Sequence, residues 1–477
     1  MSLTSLAARR AFLGTGLHGV GAYALASLLN EAVVRGSEND APIGATDGWK
    51  GIITTPHVPP KAKRVIFMVM AGGMSHLETF DNKPKLAELH GKPMPDSYTT
   101  GQPIAQLQGQ KLTCLAPQHK FTKCGRSGNE ISDIFPNLQT VADELCIIRS
   151  LTTQAINHDP AHTFMNTGTT ISGRPAMGAW LQYGLGSESA DLPGFIVMTS
   201  IGGGQSQPIA SRQWHSGFLP SRFQGVEFQG RGDPVLYVGN PQGITPDLQR
   251  GAVDAIQRLN RIQFAAVHDP EITTRIAQYE LAFRMQSSIP ALMDFSDETP
   301  ATLELYGTKG ADGTFGANAL LARRLAERGV RFIQLYHRDW DHHGGVKEGT
   351  RSVAGLVDKG MTALLTDLKQ RGMLNDTLVI CVCEFGRTPM AQGDGRDHHM
   401  KGFSGWMAGG GIKPGLTWGA TDELGYNAVE NVVQVHDLHA TMLHVMGIDH
   451  KRLTYRFQGR DFRLTDVHGD VVQAILA

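Results

Sequence analysis

Ala317-Asn-Ala-Leu-Leu-Ala-Arg-Arg-Leu-Ala-Glu-Arg328, closed by Gly329, runs directly into Val330-Arg-Phe-Ile-Gln-Leu-Tyr336. The first part spaces its apolar residues as one face of a helix, and a glycine is the usual residue just past a helix end. The second part is a short run rich in β-branched and aromatic residues, which predicts a strand. The pattern recurs downstream, where a helix near 352–371 leads into Thr377-Leu-Val-Ile-Cys-Val-Cys383. Helix, strand, helix, strand in that order implies parallel strands joined by right-handed crossovers. Upstream, Val65-Ile-Phe-Met-Val-Met-Ala71 is apolar at every position and stops at Gly72-Gly73. A strand without alternation is covered on both faces, and the two glycines fit a loop at its carboxyl end. Glu144-Leu-Cys-Ile-Ile-Arg149 adds another short strand, and residues 246–286 carry the spacing of long exposed helices. The expected fold class is therefore α/β, a mostly parallel sheet flanked by helices on both faces.

Composition narrows the function classes. Among 477 residues, 44 Lys and Arg face 45 Asp and Glu, for a net charge of −1. No cationic surplus exists to hold nucleic acid or an anionic membrane surface. Five cysteines are too few and too scattered for a disulfide framework. A Cys114–Cys124 pair stays open, whereas Cys381 and Cys383 read as two residues on one face of a strand.

Ala8-Arg-Arg-Ala-Phe-Leu-Gly14, followed by the weakly apolar stretch Thr15 to Leu29, resembles a twin-arginine export signal. The stretch is short and interrupted by His18, so it is a poor bilayer span. The expected organisation is a signal segment at 1–30, a linker at 31–60 and one α/β domain at 61–477. The expected location is periplasmic or cell-envelope, with membrane contact only if the signal segment is retained.

Ten of the 19 histidines fall between His337 and His468. In an α/β sheet, ligand groups gather beyond the carboxyl ends of the strands, and four segments place suitable residues there. Tyr336-His-Arg-Asp-Trp-Asp-His-His-Gly-Gly345 offers Asp341 with His343, or Asp339 with His343, as donors to a divalent ion. Cys383-Glu-Phe-Gly-Arg-Thr-Pro389 offers Glu384 as a ligand and Arg387 to hold an anionic oxygen. Gly395-Arg-Asp-His-His399 offers His398, with Asp397 as its orienting partner. In Gln154 to Gly168, His158 and His162 share one helical face, with His158 at the amino-terminal mouth of a helix starting near Asp159. Later, Asp437 fits a helix cap, and His439 and His444 fit helix-face positions.

These segments resemble the DUF1501 family, which is grouped with the alkaline phosphatase/sulfatase superfamily. The resemblance is carried by Ala71-Gly-Gly-Met-Ser-His-Leu-Glu-Thr-Phe-Asp81, Trp340-Asp-His-His-Gly344, Cys383 to Pro389, Gly395 to His398, Val435 to Leu443 and Phe457 to Phe462. It implies an alkaline phosphatase/sulfatase-like fold and hydrolysis of phosphate or sulfate esters beside one or two metals, through a Ser, Thr or modified Cys nucleophile. Against that pattern, Gly72 stands where a metal-binding Asp is expected and His158 where the nucleophile is expected. Glu384 and Phe385 replace an expected Asp and His. The resemblance implies a metal site of Asp341, His343, Glu384 and His398, with zinc first and calcium or manganese as alternatives. His158 and Arg387 are then the catalytic candidates, with Ser75 or Thr163 as other nucleophiles. The implied substrate is an anionic ester, including a sulfated or phosphorylated glycan. Two rivals stay open: a non-catalytic member that binds an anionic glycan or a protein partner, and a closed structural zinc site.

Overall fold

The structure, a computed structural model, describes residues 49–102, 104–235 and 243–477; the signal segment 1–30 and residues 31–48 of the expected linker lie outside them. Its centre is strand β1 (Arg64–Met70), buried at every residue after Arg64. The other strands of the main sheet begin with β2 (Cys146–Thr152), β3 (Phe195–Thr199) and β4 (Val226–Phe228). They continue with β5 (Phe332–His337) and β6 (Thr377–Val382). A separate antiparallel hairpin, β7 (Gly386–Gln392) and β8 (Gly395–His399), comes next. β9 (Phe403–Ala408), β10 (Leu416–Trp418) and β11 (Val433–Gln434) complete the main sheet.

The strands lie side by side in the order β10-β2-β9-β6-β1-β5-β3-β4, with β11 also paired to β2. β9 is antiparallel to both of its neighbours. The remaining pairs are parallel. The three apolar runs read from sequence as strands lie side by side: β1 sits between β5 and β6, with Val65 opposite Phe332 on one side and Leu378 on the other. Burial on both faces explains why these strands show no polar alternation.

Helices cover both faces. On one face lie α1 (His158–Thr167), whose Asn166 accepts from Gln334 at 2.7 Å, and α2 (Met177–Leu185), whose Gly178 packs on Phe195. Side chains alternate along a strand, so His337 of β5 points to the opposite face. There it meets Phe315 of α3 (Phe315–Glu327), with ring centroids 5.9 Å apart. α3 starts at Thr314, whose hydroxyl accepts from the Ala317 N–H, and α4 (Val346–Gln370) packs beside it. α5 (Val435–Val445) docks on α1 through His439, which bonds the Met165 carbonyl at 2.8 Å. Asp437 caps the start of α5 by accepting the Gln434 N–H.

The region 246–286 forms the helices Pro246–Val267 and Pro270–Met293. The first helix, with the second as far as Phe283, belongs to a compact unit separate from the one carrying the sheet. Within the expected linker, Ile52, Ile53 and His57 donate backbone hydrogen bonds to Tyr183, Gly184 and Gly447. All five cysteines are buried and free, so Cys114 and Cys124 are not paired. Among the described residues, no helix is long and apolar enough to cross a membrane.

Candidate metal centre

The parallel strands β1, β2, β5 and β6 end at one edge of the sheet, and the loops leaving them converge there. β1 continues into Gly72-Gly73, β5 into Asp341 and β6 into Glu384, while β2 leads to the start of α1 at His158. The β7–β8 hairpin closes over this edge and sets Arg387 directly across from His398. Two glycines permit the crowding. Gly72 has φ +122°, and a Cβ there would lie 2.6 Å from the Asp341 nitrogen. A Cβ on Gly395 would lie 2.2 Å from the His343 carbonyl carbon. A metal-binding Asp at position 72 is thus sterically excluded; the Gly72 N–H instead donates to Glu384 at 2.9 Å.

At the mouth of the site three acceptor atoms meet. His343 Nε2 and His398 Nε2 are 2.9 Å apart, and they lie 3.0 and 3.3 Å from Asp341 Oδ1. The opposite nitrogen of each ring fixes its tautomer. His398 Nδ1 faces the Ile156 carbonyl at 2.8 Å, which accepts only, so Nδ1 carries the proton. His343 Nδ1 faces Gln392 Oε1, the oxygen being assigned because the Gln392 amide NH₂ donates to Gln106 at 2.9 Å. Both Nε2 atoms therefore present lone pairs to one another and to a carboxylate oxygen. Arg387 meets Asp341 Oδ1 and the Gln106 amide lies 3.4 Å from His343 Nε2, and a cation among the three atoms would remove the remaining repulsion between the facing lone pairs. Ligands on a tetrahedral zinc with bonds of roughly 2.0–2.1 Å stand about 3.3 Å from each other, so these residues fit a divalent cation. His158 Nε2, 3.2 Å from Asp341 Oδ2, completes a donor set with Asp341 and His398.

A second donor set lies behind the first. His158 Nδ1 is 2.7 Å from Glu384 Oε1, and His162 Nε2 is 3.4 Å from the same oxygen. Burial opposes protonation of His158, but Asp341 and Glu384 outweigh it and raise its pKa to about 9. Burial likewise works against ionising Glu384, yet His162 and His158 hold it down at about 2. Asp341 is kept ionised against its burial by His158, His343, His398 and Arg387, well below the usual carboxylate range. Burial lowers His162 and His398.

The residues expected to share one ion thus fall into two sets. Asp341, His343 and His398 stand together at the mouth, whereas Glu384 groups with His158 and His162. Arg387, expected to hold an anionic oxygen of a ligand, is 1% exposed and engaged within the protein. Its Nε donates to Gly73 O at 2.8 Å, Nη1 to Arg396 O at 3.1 Å, and Nη2 to Gly72 O and Asp341. It positions Asp341 and the strand-end loop. Asp397 does not bond the His398 ring, whose Nδ1 is held by Ile156; its carboxylate accepts the backbone N–H groups of His398, Gln106 and Leu107. Asp339 is not paired with His343 either, because it binds the N–H groups of Gly204 and Gln205. The alternative nucleophiles are buried and committed elsewhere, Ser75 to Glu78 and Thr163 to the Asp159 carbonyl. His162 was not assigned as a ligand from sequence, although its i+4 spacing from His158 was the available signal.

A family model described as a protein of unknown function, DUF1501, matches residues 62–476. The chain belongs to the DUF1501 family. No curated protein matches the sequence. Among solved structures, the DUF1501 chain is similar to a phosphonate monoester hydrolase from Silicibacter pomeroyi, at 11% identity and a TM-score of 0.32, over 80% of this chain and 73% of that one. A sulfatase from Pseudoalteromonas sp. gives 11% identity and a TM-score of 0.32 over 81% and 68% of the two chains. An alkaline phosphatase superfamily protein from Vibrio parahaemolyticus gives 10% identity and a TM-score of 0.31 over 83% and 68%.

Proposed function

We propose that this DUF1501 chain is a metal-dependent hydrolase of phosphate or sulfate esters, acting outside the cytoplasm after twin-arginine export. The observation that carries the reading is the acceptor triad of His343 Nε2, His398 Nε2 and Asp341 Oδ1 at the mouth. A bound divalent cation, zinc first by its N and O donors, supplies Lewis acidity to an ester oxygen and lowers the pKa of a coordinated water. Gln392 and the Ile156 carbonyl hold the two imidazoles in the tautomer that ligates. Arg387 keeps Asp341 ionised and in place. No covalent intermediate on Ser75 or Thr163 is invoked, since both hydroxyls are buried and bonded away from the mouth. Water is the attacking group. The substrate class is an anionic ester, sulfated or phosphorylated glycans included, because a cation-centred mouth attracts oxyanions.

The test is metal analysis of the purified protein followed by a panel of phosphate monoesters, phosphate diesters and sulfate esters. Turnover that disappears on chelation and returns with one divalent ion is the expected result. Stoichiometric metal with no turnover on any ester favours the rival, a non-catalytic binder of an anionic glycan, for which the committed state of both hydroxyls is the supporting observation.

A further inference from the structure

The geometry points to a second cation position behind the mouth, formed by His158 Nδ1, His162 Nε2 and Glu384, so that the His158 ring stands between two ions. The three donor residues lie with their ligand atoms within 4.8 Å of one another. The independent observation is His162: it is fully buried, yet neither of its ring nitrogens has a hydrogen-bond partner. A buried polar group without a partner costs roughly 1–3 kcal/mol, so such an imidazole is uncommon unless something else satisfies it. Its surroundings leave little else to do so. Tyr336 presents its ring, and the tyrosine hydroxyl is already taken by Asn166 and Gln334. The nearest charged atom is Glu384 Oε1.

Glu384 is built for the same purpose. It is fully buried, its oxygens accept the Gly72 N–H, and among the described residues its ion pairs are with His158 and His162, not with an arginine or lysine. His158 and His162 follow each other by one turn of α1, which points both rings at that carboxylate. The two nitrogens of His158 face opposite ways, Nδ1 to Glu384 and Nε2 to Asp341. One imidazole serves both positions as a bridging imidazolate, its remaining ring N–H proton being released to solvent as the second cation binds. Three protein donors leave a further coordination site on the inner ion, as in sites that take water or substrate.

The inference rests on cation binding at the mouth but not on ester hydrolysis. It is tested by dialysing the full chain against chelator and titrating it with zinc or cobalt(II), counting equivalents by calorimetry and elemental analysis. Wild type is expected to take up two equivalents, His162→Leu one and His343→Ala one. Thermal unfolding of the metal-free proteins guards against misfolding, because leucine replaces an imidazole that makes no hydrogen bond. Metal-free His162→Leu is expected to unfold in one cooperative transition, lowered only modestly because Glu384 keeps His158 and the Gly72 N–H. A single equivalent in wild type, or two retained in His162→Leu, overturns the inference even if the enzyme turns over. Two equivalents with no turnover uphold it and remove the hydrolase reading instead.

Discussion

Replacing Arg387 by methionine separates the role that the structure gives this arginine from the one its motif suggests. The guanidinium is buried, and its donors go to three backbone carbonyls and to Asp341. Methionine keeps most of the apolar stem but removes all of these bonds and leaves Asp341 without its permanent cation. Breaking a buried pair from one side costs ~3–5 kcal/mol. Whole-domain stabilities are only ~5–15 kcal/mol, so the loss should take about a fifth or more of the total. Lysine should recover part of it, since one ammonium cannot reach acceptors spread over Gly72, Gly73 and Arg396. The assay is urea denaturation of chelator-treated protein, followed by the fluorescence of its six tryptophans, among them Trp340, buried one residue from Asp341. The methionine variant should unfold at markedly lower urea, with lysine in between. If its midpoint is unchanged while binding of inorganic phosphate to the zinc-loaded protein is lost, the positioning role is wrong and Arg387 belongs to the substrate.

Three further outcomes follow from the same geometry. His343→Ala and His398→Ala should each lower metal content and any ester hydrolysis together, with unfolding midpoints close to wild type; loss of activity at full metal content contradicts this. In the metal-free protein, His158 is raised from 6.5 to about 9, so its stabilising contacts are complete below pH 6.5 and are lost as the pH rises through about 9. A cation must displace that proton, so affinity should climb up to tenfold per pH unit towards about 9, with proton release seen by calorimetry in buffers of different ionisation enthalpy. A flat affinity from pH 7 to 9 is the opposing result. Changing Arg9 and Arg10 to Lys should keep the protein in the cytoplasm, and cell fractionation that finds it exported as before removes the proposed twin-arginine route.

The amino-acid sequence alone determined the layered α/β fold, the central parallel strands and the edge at which chemistry collects. Those features depend on local rules: apolar runs in Val65–Met70 and Thr377–Val382 have to be covered on both faces, and helix–strand alternation fixes parallel pairing. The same reading picked out Asp341, His343, Glu384, His398 and His158, because carboxylates and imidazoles beyond strand ends are visible as residue types. Only the tertiary structure decided how they are partnered. Glu384 reaches the Gly72 N–H across 312 residues of chain, and Arg387 reaches Asp341 across 46. Hydrogen bonds of that span depend on strand order and on the β7–β8 hairpin, neither of which leaves a local pattern. For that reason Arg387 read as a substrate arm when it is an internal clamp, and Asp397 read as the partner of the His398 ring when it accepts the backbone N–H groups of His398, Gln106 and Leu107. His162 looked like a neighbour of His158 rather than a donor, because burial with no hydrogen-bond partner is a property of the folded surroundings and not of the residue. The exclusion of a side chain at Gly72 has the same origin, since it is the Asp341 backbone, brought from a distant strand end, that fills the space.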